Sequence, residues 1–298
     1  MDIVSPIQQK PIACFLIINP IPKLSDLALL SVLRNTDVPI AIGYVNESDL
    51  PDLANDSRVL RVKLNHKHDQ LSTSGISNGI YQDFSQENFY QLVQLKWTLF
   101  AELLSMGYTT VFYSDVDVVW LQDPIGDILK AFAQMPDVHW FIQSFTSSVN
   151  EPKLCMGFVA FRNSSIVNSF IKDCAAFHAR GLGLNPKLGD DDVVTSMYRE
   201  LNFPSWIKEL PQAAFPVGSM VNLYSKKKLF PGLKGPTPYI FHANYVVGIN
   251  NKILLLEKFL SQLSAHRLGF KLSVYSRFTL TLKSIKIWAH RIKTTIFD

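Results

Sequence analysis

The stretch Thr110-Val-Phe-Tyr-Ser-Asp-Val-Asp-Val-Val-Trp-Leu-Gln-Asp-Pro124 constrains this chain more than any other. An apolar run ends in two carboxylates, Asp115 and Asp117, one residue apart. Side chains alternate faces along a strand, so this spacing predicts that both acids point the same way, a few ångströms apart. Burying two like charges side by side costs several kcal/mol unless a cation compensates them. A hard divalent ion with oxygen ligands is the natural compensator, and such ions are commonly shared with substrate phosphates. A bare Asp-x-Asp occurs often by chance, and alone it is more often a solvated strand end.

The surrounding chain decides how much core such a pair can be set into. With 298 residues, 47% hydrophobic and 18% charged, the composition is that of a globular protein with room for one large α/β domain or two small ones. No apolar run approaches the roughly 18 to 20 residues needed to span a bilayer. Ile12-Ala-Cys-Phe-Leu-Ile-Ile18 leads into Asn19-Pro20 and not into a small-residue cleavage site, so it reads as a first buried strand and not as a signal peptide. Cys14, Cys155 and Cys174 lack metal-site spacing, and reduced thiols in a cytoplasmic protein are the simplest expectation.

Charge is unevenly spread. Residues 266–298 hold seven bases against one acid, a net +6, which leaves 22 bases and 24 acids, a net −2, for the rest. The body therefore lacks the basic excess that nucleic-acid binding requires. Within the tail Phe278, Leu282, Ile285, Trp288, Ile292 and Ile296 share one helical arc, with Lys283, Lys286, His290, Arg291 and Lys293 opposite, while Leu280 and Ile287 break the pattern. Such a basic amphipathic helix suits an anionic membrane surface, making the protein peripheral to a membrane. A terminal helix packed on the domain fits the pattern equally well.

Periodicity gives an alternation of strands and helices. Ile12–Ile18, Pro39–Val45 and Val59–Leu64 read as strands. Polar residues 66–84 read as a loop, and one helix runs from a Ser85 cap to about Ser105, ending at Gly107. The acidic strand follows, then a helix near Ile125–Met135, a strand Val138–Gln143, a strand Gly157–Phe161 and a helix from Ser164 to about His178. Asp190–Leu201 reads as a helix, Tyr239–Tyr245 as a strand and Asn251–Leu263 as a helix. This order favours an open, largely parallel sheet in one Rossmann-like α/β domain, with ligands at the carboxyl ends of the strands. Residues 1–265 form that domain in this reading, and 266–298 a separate tail.

The acidic string, with its preceding Tyr-Ser, its Val-Val-Trp-Leu continuation and its closing Asp123-Pro124, resembles the Asp-x-Asp signature of nucleotide-diphospho-sugar transferases. These are glycosyltransferases of GT-A fold, with plant arabinosyl- and xylosyltransferases among their relatives. Further blocks follow in the family's order: Tyr90-Gln-Leu-Val-Gln-Leu-Lys-Trp97, Met106-Gly-Tyr108, Gly157-Phe-Val-Ala-Phe-Arg-Asn163, Gly189-Asp-Asp-Asp192, Phe215-Pro-Val-Gly218 and Phe241-His-Ala-Asn-Tyr-Val-Val-Gly248. The likeness covers roughly residues 85 to 260.

The resemblance implies a metal-dependent, retaining transfer of a sugar from a nucleotide-diphosphate donor, a UDP-sugar, to a carbohydrate or other hydroxyl acceptor. It also implies a set of site residues. Asp115, Asp117 and His242 would hold Mn²⁺ or Mg²⁺, and Gly248 and Lys252 would meet the donor phosphates. Asp115 could also meet the donor ribose, while Lys96 and Gly157 would reach the donor. In the acidic block Asp190 falls on the family's Asp and Asp191 on its Gln, and one or both are expected to reach the sugar as catalytic residues. Cys155-Met156 replaces a more polar family pair, so those side-chain hydrogen bonds are lost. Trp97 and Trp120 read as core. Two rival readings remain. One is a phosphotransferase or hydrolase, which would place Asp-x-Asp after the first strand, where Asn19-Pro20 stand. The other is a degenerate transferase kept as a carbohydrate- or partner-binding module, which loss of the metal ligands would favour.

Overall fold

The computed structural model describes residues 10–17, 21–64, 87–145, 153–217, 238–244, 246 and 248–267. Two units are distinguished, Met1–Leu260 and Ser261–Asp298. The loop read over 66–84, the Ser85 cap and the amphipathic arc after Arg267 lie outside the described residues.

Seven strands form one sheet: β1 (Pro11–Ile17), β2 (Ile40–Tyr44), β3 (Val59–Lys63), β4 (Thr110–Ser114), β6 (Trp140–Ser144), β7 (Leu154–Arg162) and β8 (Ile207–Glu209), in the order β3-β2-β1-β4-β7-β6-β8. All run the same way except β7, which is antiparallel to both its neighbours. Among the described residues two further strands, β5 (Val118–Trp120) and β9 (Ile240–His242), pair antiparallel in a ribbon of their own. The expected open, largely parallel sheet is therefore present. The antiparallel β7 and the separate β5–β9 ribbon were not foreseen.

β1 and β4 are buried almost end to end because both faces of the sheet are covered, which is why these strands read as unbroken apolar runs. Alternate residues feed two cores. Ile12, Cys14, Val111 and Tyr113 point into one, with α3 (Leu95–Ser105), α5 (Ser165–Leu182) and α6 (Asp190–Glu200) packed over them. Ala13, Phe15 and Phe112 point into the other, under α1 (Pro22–Asn35) and α4 (Ile125–Gln134). The result is a three-layer α/β sandwich. Trp97 and Trp120 are fully buried, as expected of core residues.

The helix expected from Ser85 to Ser105 is broken. α2 (Glu87–Val93) and α3 meet at Gln94, whose carbonyl accepts from Trp97 N at 3.1 Å, a tighter i to i+3 bond. The expected end holds: Gly107 takes φ +86, a left-handed conformation that a side chain would oppose. Ser164 caps α5 by accepting from Val167 N. The last described helix, α7 (Ile249–Arg267), buries Ile253, Leu256 and Phe259 and stacks Phe259 on Phe241 of β9 with ring centroids 4.0 Å apart. No described helix is long and apolar enough to cross a membrane.

Candidate active site

Neighbouring strand order reverses where β1 lies between β2 and β4, and ligands in open α/β sheets collect at the carboxyl ends of strands beside such a point. β4 ends there at Ser114, opposite Phe158 of the antiparallel β7, so the first half of β7 runs along the same edge. The chain then turns: Val118 N donates to Asp115 O at 3.1 Å, and β5 departs to meet β9. Asp115 and Asp117 consequently stand on a turn and not along one strand, which corrects the reason expected for their convergence. Residues i and i+2 of a tight turn can converge as well as those of a strand. The β5–β9 pairing sets Val118 opposite His242 and brings the imidazole in.

The three side chains form one cluster. Ligand atoms from Asp115, Asp117 and His242 all lie within 4.8 Å of one another. Asp117 Oδ1 is 3.2 Å from His242 Nε2, and Asp117 Oδ2 accepts from Lys252 Nζ at 2.6 Å. Burial alone would raise the Asp117 pKa, but the Lys252 ammonium, with the hydrogen-bonding His242 beside it, outweighs burial and holds this carboxyl far below its usual range. Lys252 reaches it from the first turn of α7, where its amide bonds Gly248 O at 3.1 Å and Gly248 itself adopts φ +88. Two carboxylates and an imidazole form a donor set that could hold one divalent ion, and the nitrogen ligand makes Mg²⁺ the poorer fit.

A second cation organises the other acids. Lys96, on α3, is 3% exposed. Its ammonium donates to Asp115 Oδ1 at 3.2 Å, to Asp190 Oδ2, and to Met156 O at 3.5 Å, which engages all three N–H groups. It also lies 4.5 Å above the Tyr113 ring. Burial works against this charge, but Asp115 and Asp190 overcome it and raise the ammonium's pKa above its ordinary value. Lys96 is thus a buried hub and not the exposed lysine that a lone helix position suggests. Tyr113 adds its own O–H to Asp115 Oδ1 at 2.5 Å.

The acidic block sits at the N-terminus of α6, where the helix dipole favours negative charge. Its three members have separate fates. Asp190 pairs with Lys96, Asp191 Oδ1 accepts from Met156 N at 2.6 Å, and Asp192 is exposed. Burial and the adjacent Asp190 push the Asp191 carboxyl well above its usual pKa. Asp190 and Asp191 therefore join the cluster through Lys96 and β7.

Gly157 has a specific use here. A Cβ at this position would lie 1.9 Å from His242 Cε1, so the imidazole packs against bare backbone. Sequence reasoning gave Gly157 a close approach to the donor; in the structure the close approach is to His242. Gln143, read only as the last residue of a strand, was missed. It is fully buried and faces His242 Nδ1 from 3.2 Å. The available signal was a lone amide closing an otherwise apolar run. Cys14, Cys155 and Cys174 are free and buried, and Cys155 Sγ lies 3.7 Å from His242 Nδ1.

A sheet with this strand order and an acid–imidazole cluster at its carboxyl edge defines a GT-A-type glycosyltransferase fold. Among solved structures it is similar to the galactosyltransferase LgtC in complex with donor and acceptor sugar analogues, with TM-score 0.57 and 10% identity, covering 85% of this chain and 95% of that one. It is similar also to a glycosyltransferase involved in glycosylating the major capsid of PBCV-1, with TM-score 0.50, 6% identity and coverage of 84% and 99%. The sequence pattern of nucleotide-diphospho-sugar transferases matches residues 57–256, and the chain belongs to that family. It is 26% identical over 214 residues to the UDP-D-xylose:L-fucose alpha-1,3-D-xylosyltransferase MGP4 of Arabidopsis thaliana, covering 66% of this chain and 57% of that protein. It is 23% identical over 189 residues to UDP-D-xylose:L-fucose alpha-1,3-D-xylosyltransferase 3 of the same plant, covering 59% and 48%. The chain thus spans about half the length of the curated relatives it matches.

Proposed function

We propose that the protein is a metal-dependent glycosyltransferase that moves a sugar from a UDP-sugar to a carbohydrate hydroxyl with retention at the anomeric carbon. The observation that carries this reading is the convergence of Asp115, Asp117 and His242 at the carboxyl edge of the sheet, with Asp190 tied to the same cluster through Lys96. Asp115, Asp117 and His242 would hold Mn²⁺, which when bound neutralises the charge developing on a diphosphate leaving group.

The chain's own residues supply the rest. Lys252, on Asp117 at 2.6 Å, carries a positive charge on a flexible stem within reach of a phosphate bound beside that acid. Lys96 and Tyr113 fix Asp115, so little reorganisation is needed as charge develops. Asp190 and Asp191 are acceptors suited to the hydroxyls of a donor sugar, and orienting that sugar is worth as much as any direct chemistry. Retention rests on the family resemblance. The choice of UDP is supported by the donors named for the two plant relatives, and retention of both acids and the imidazole argues against a degenerate binding module. The basic residues after 266 supply a peripheral contact with an anionic membrane.

A panel of nucleotide sugars, pentose and hexose donors of UDP and GDP, tests this reading. Donor hydrolysis with Mn²⁺ that stops on adding EDTA is expected for one or more UDP-sugars. Turnover indifferent to EDTA, or binding of no nucleotide sugar, would overturn it.

A further inference from the structure

Resting on the metal reading above, we propose that Gln143 is a positioning residue that locks His242 in the Nδ1–H tautomer and so presents the Nε2 lone pair to a cation between Asp115 and Asp117. The argument starts from a donor count. Gln143 is fully buried on β6, beside a register shift between Ile142 and Gln143 in the β6–β7 ladder. Its amide nitrogen lies 3.1 Å from Phe215 O and 3.4 Å from Pro216 O. Both neighbours are carbonyls and only accept, so the nitrogen of the amide must face them. The amide oxygen therefore faces His242 Nδ1, 3.2 Å away, and can only accept there.

That hydrogen bond places the ring proton on Nδ1. Nε2 is then a lone pair aimed at Asp117 Oδ1, 3.2 Å away. A lone pair against a carboxylate oxygen is repulsive unless a positive charge stands between them or the ring gains a second proton. A divalent ion meets that need without charging the ring. Gly157 completes the arrangement: the imidazole lies where a Cβ would be, so the ring is held by packing as well as by Gln143. Partners that fix tautomer and ring orientation commonly change metal affinity by about 10- to 100-fold when removed.

Two variants separate this role from a structural one. Gln143→Met and Gln143→Glu both lose the donors to Phe215 and Pro216, but only Glu keeps an oxygen for Nδ1–H. Mn²⁺ binding to the purified, metal-free full chain is read by titration calorimetry, without turnover. The expected result is a 10- to 100-fold weaker Kd for Gln143→Met and a Kd within about threefold of wild type for Gln143→Glu. Equal losses in both variants, or no loss in either, would overturn the proposal. If wild type itself binds no Mn²⁺, the metal reading fails, and the tautomer is decided separately. For that, ¹⁵N-histidine NMR of wild type, with His242 assigned by difference against His242→Gln, is recorded with and without diamagnetic Mg²⁺ at a pH where the ring is neutral. A proton on Nδ1 supports the proposal; a proton on Nε2 defeats it, and this measurement stands even where a Gln143 variant does not fold.

Discussion

The Cβ that Gly157 lacks would stand 1.9 Å from Cε1 of His242, so the imidazole occupies the volume of a missing methyl group. This contact makes the first prediction. Gly157→Ala must displace the ring, because the alternative is to move β7 where the Gly157 carbonyl accepts from Asp115 N at 2.8 Å. Overpacking of this kind costs about 1–3 kcal/mol in stability. The expected outcome is a native far-UV circular dichroism spectrum with at least tenfold weaker Mn²⁺ binding by calorimetry. Unchanged affinity would show that the ring position is not needed.

Asp117 is paired with the Lys252 ammonium at 2.6 Å, so removing it affects more than metal binding. Asp117→Ala leaves the Lys252 ammonium, whose side chain is 14% exposed, without this carboxylate. Breaking a buried pair from one side costs about 3 kcal/mol or more. In metal-free buffer, urea denaturation should give a clearly lower midpoint for Asp117→Ala. Asp117→Ala/Lys252→Met should recover part of the loss. No recovery in the double variant would mean the pair is not the source of the loss.

Lys96 should be energetically coupled to Asp190. A cycle of Lys96→Met, Asp190→Asn and the double variant, measured by urea unfolding, is expected to give an interaction energy of about 1–3 kcal/mol, the range for residues in one ion-pair network. Additive losses would dissolve the hub. Turnover of the single Asp190→Asn variant should fall far more than its affinity for UDP, since its contact is assigned to the sugar.

His178 supplies a pH dependence of stability, dominated by its burial. Trp97 Nε1 can only donate, and it does so to His178 Nδ1 at 3.0 Å; His178 Nε2 then bears the proton and donates to Leu188 O at 2.9 Å. Both nitrogens are engaged by the neutral ring. Burial depresses the folded-state pKa below the ordinary value of about 6.5. As pH falls, the unfolded chain takes up the proton first, so the stabilisation is complete above about 6.5 and declines below it, by at most about 1.4 kcal/mol per pH unit. Thermal melts between pH 7 and 5 should fall more steeply for wild type than for His178→Gln, whose amide can make both hydrogen bonds. Parallel curves would reject the assignment.

The segment after Arg267 carries the last prediction. Its excess of bases contributes about 1 kcal/mol each near an acidic bilayer, and the attraction should weaken with salt. A chain ending at Arg267 is expected to stay folded and active but to stop sedimenting with phosphatidylserine vesicles. Equal vesicle binding by the two chains, or loss of folding on truncation, would exclude a separable membrane contact.

The apolar runs of β1, β2 and β4 were legible in the sequence because strands buried on both faces leave no polar alternation to misread. Gly107, Ser164 and the helix of Asp190 were legible because caps and left-handed turns depend on local chemistry. Asp115, Asp117 and His242 could be named from their strings, since a ligand set is a matter of residue type. Their meeting could not be derived locally: it depends on a turn after β4 and on a β5–β9 pairing between segments more than a hundred residues apart. For the same reason the sequence concealed Lys96 as a buried hub and Gln143 as the partner of His242. A lysine on a helix and a glutamine at a strand end have no local signature of burial. Their environment is set by what other segments place around them, and only the packed structure supplies the carboxylates that make one ammonium stable and the two carbonyls that fix one amide.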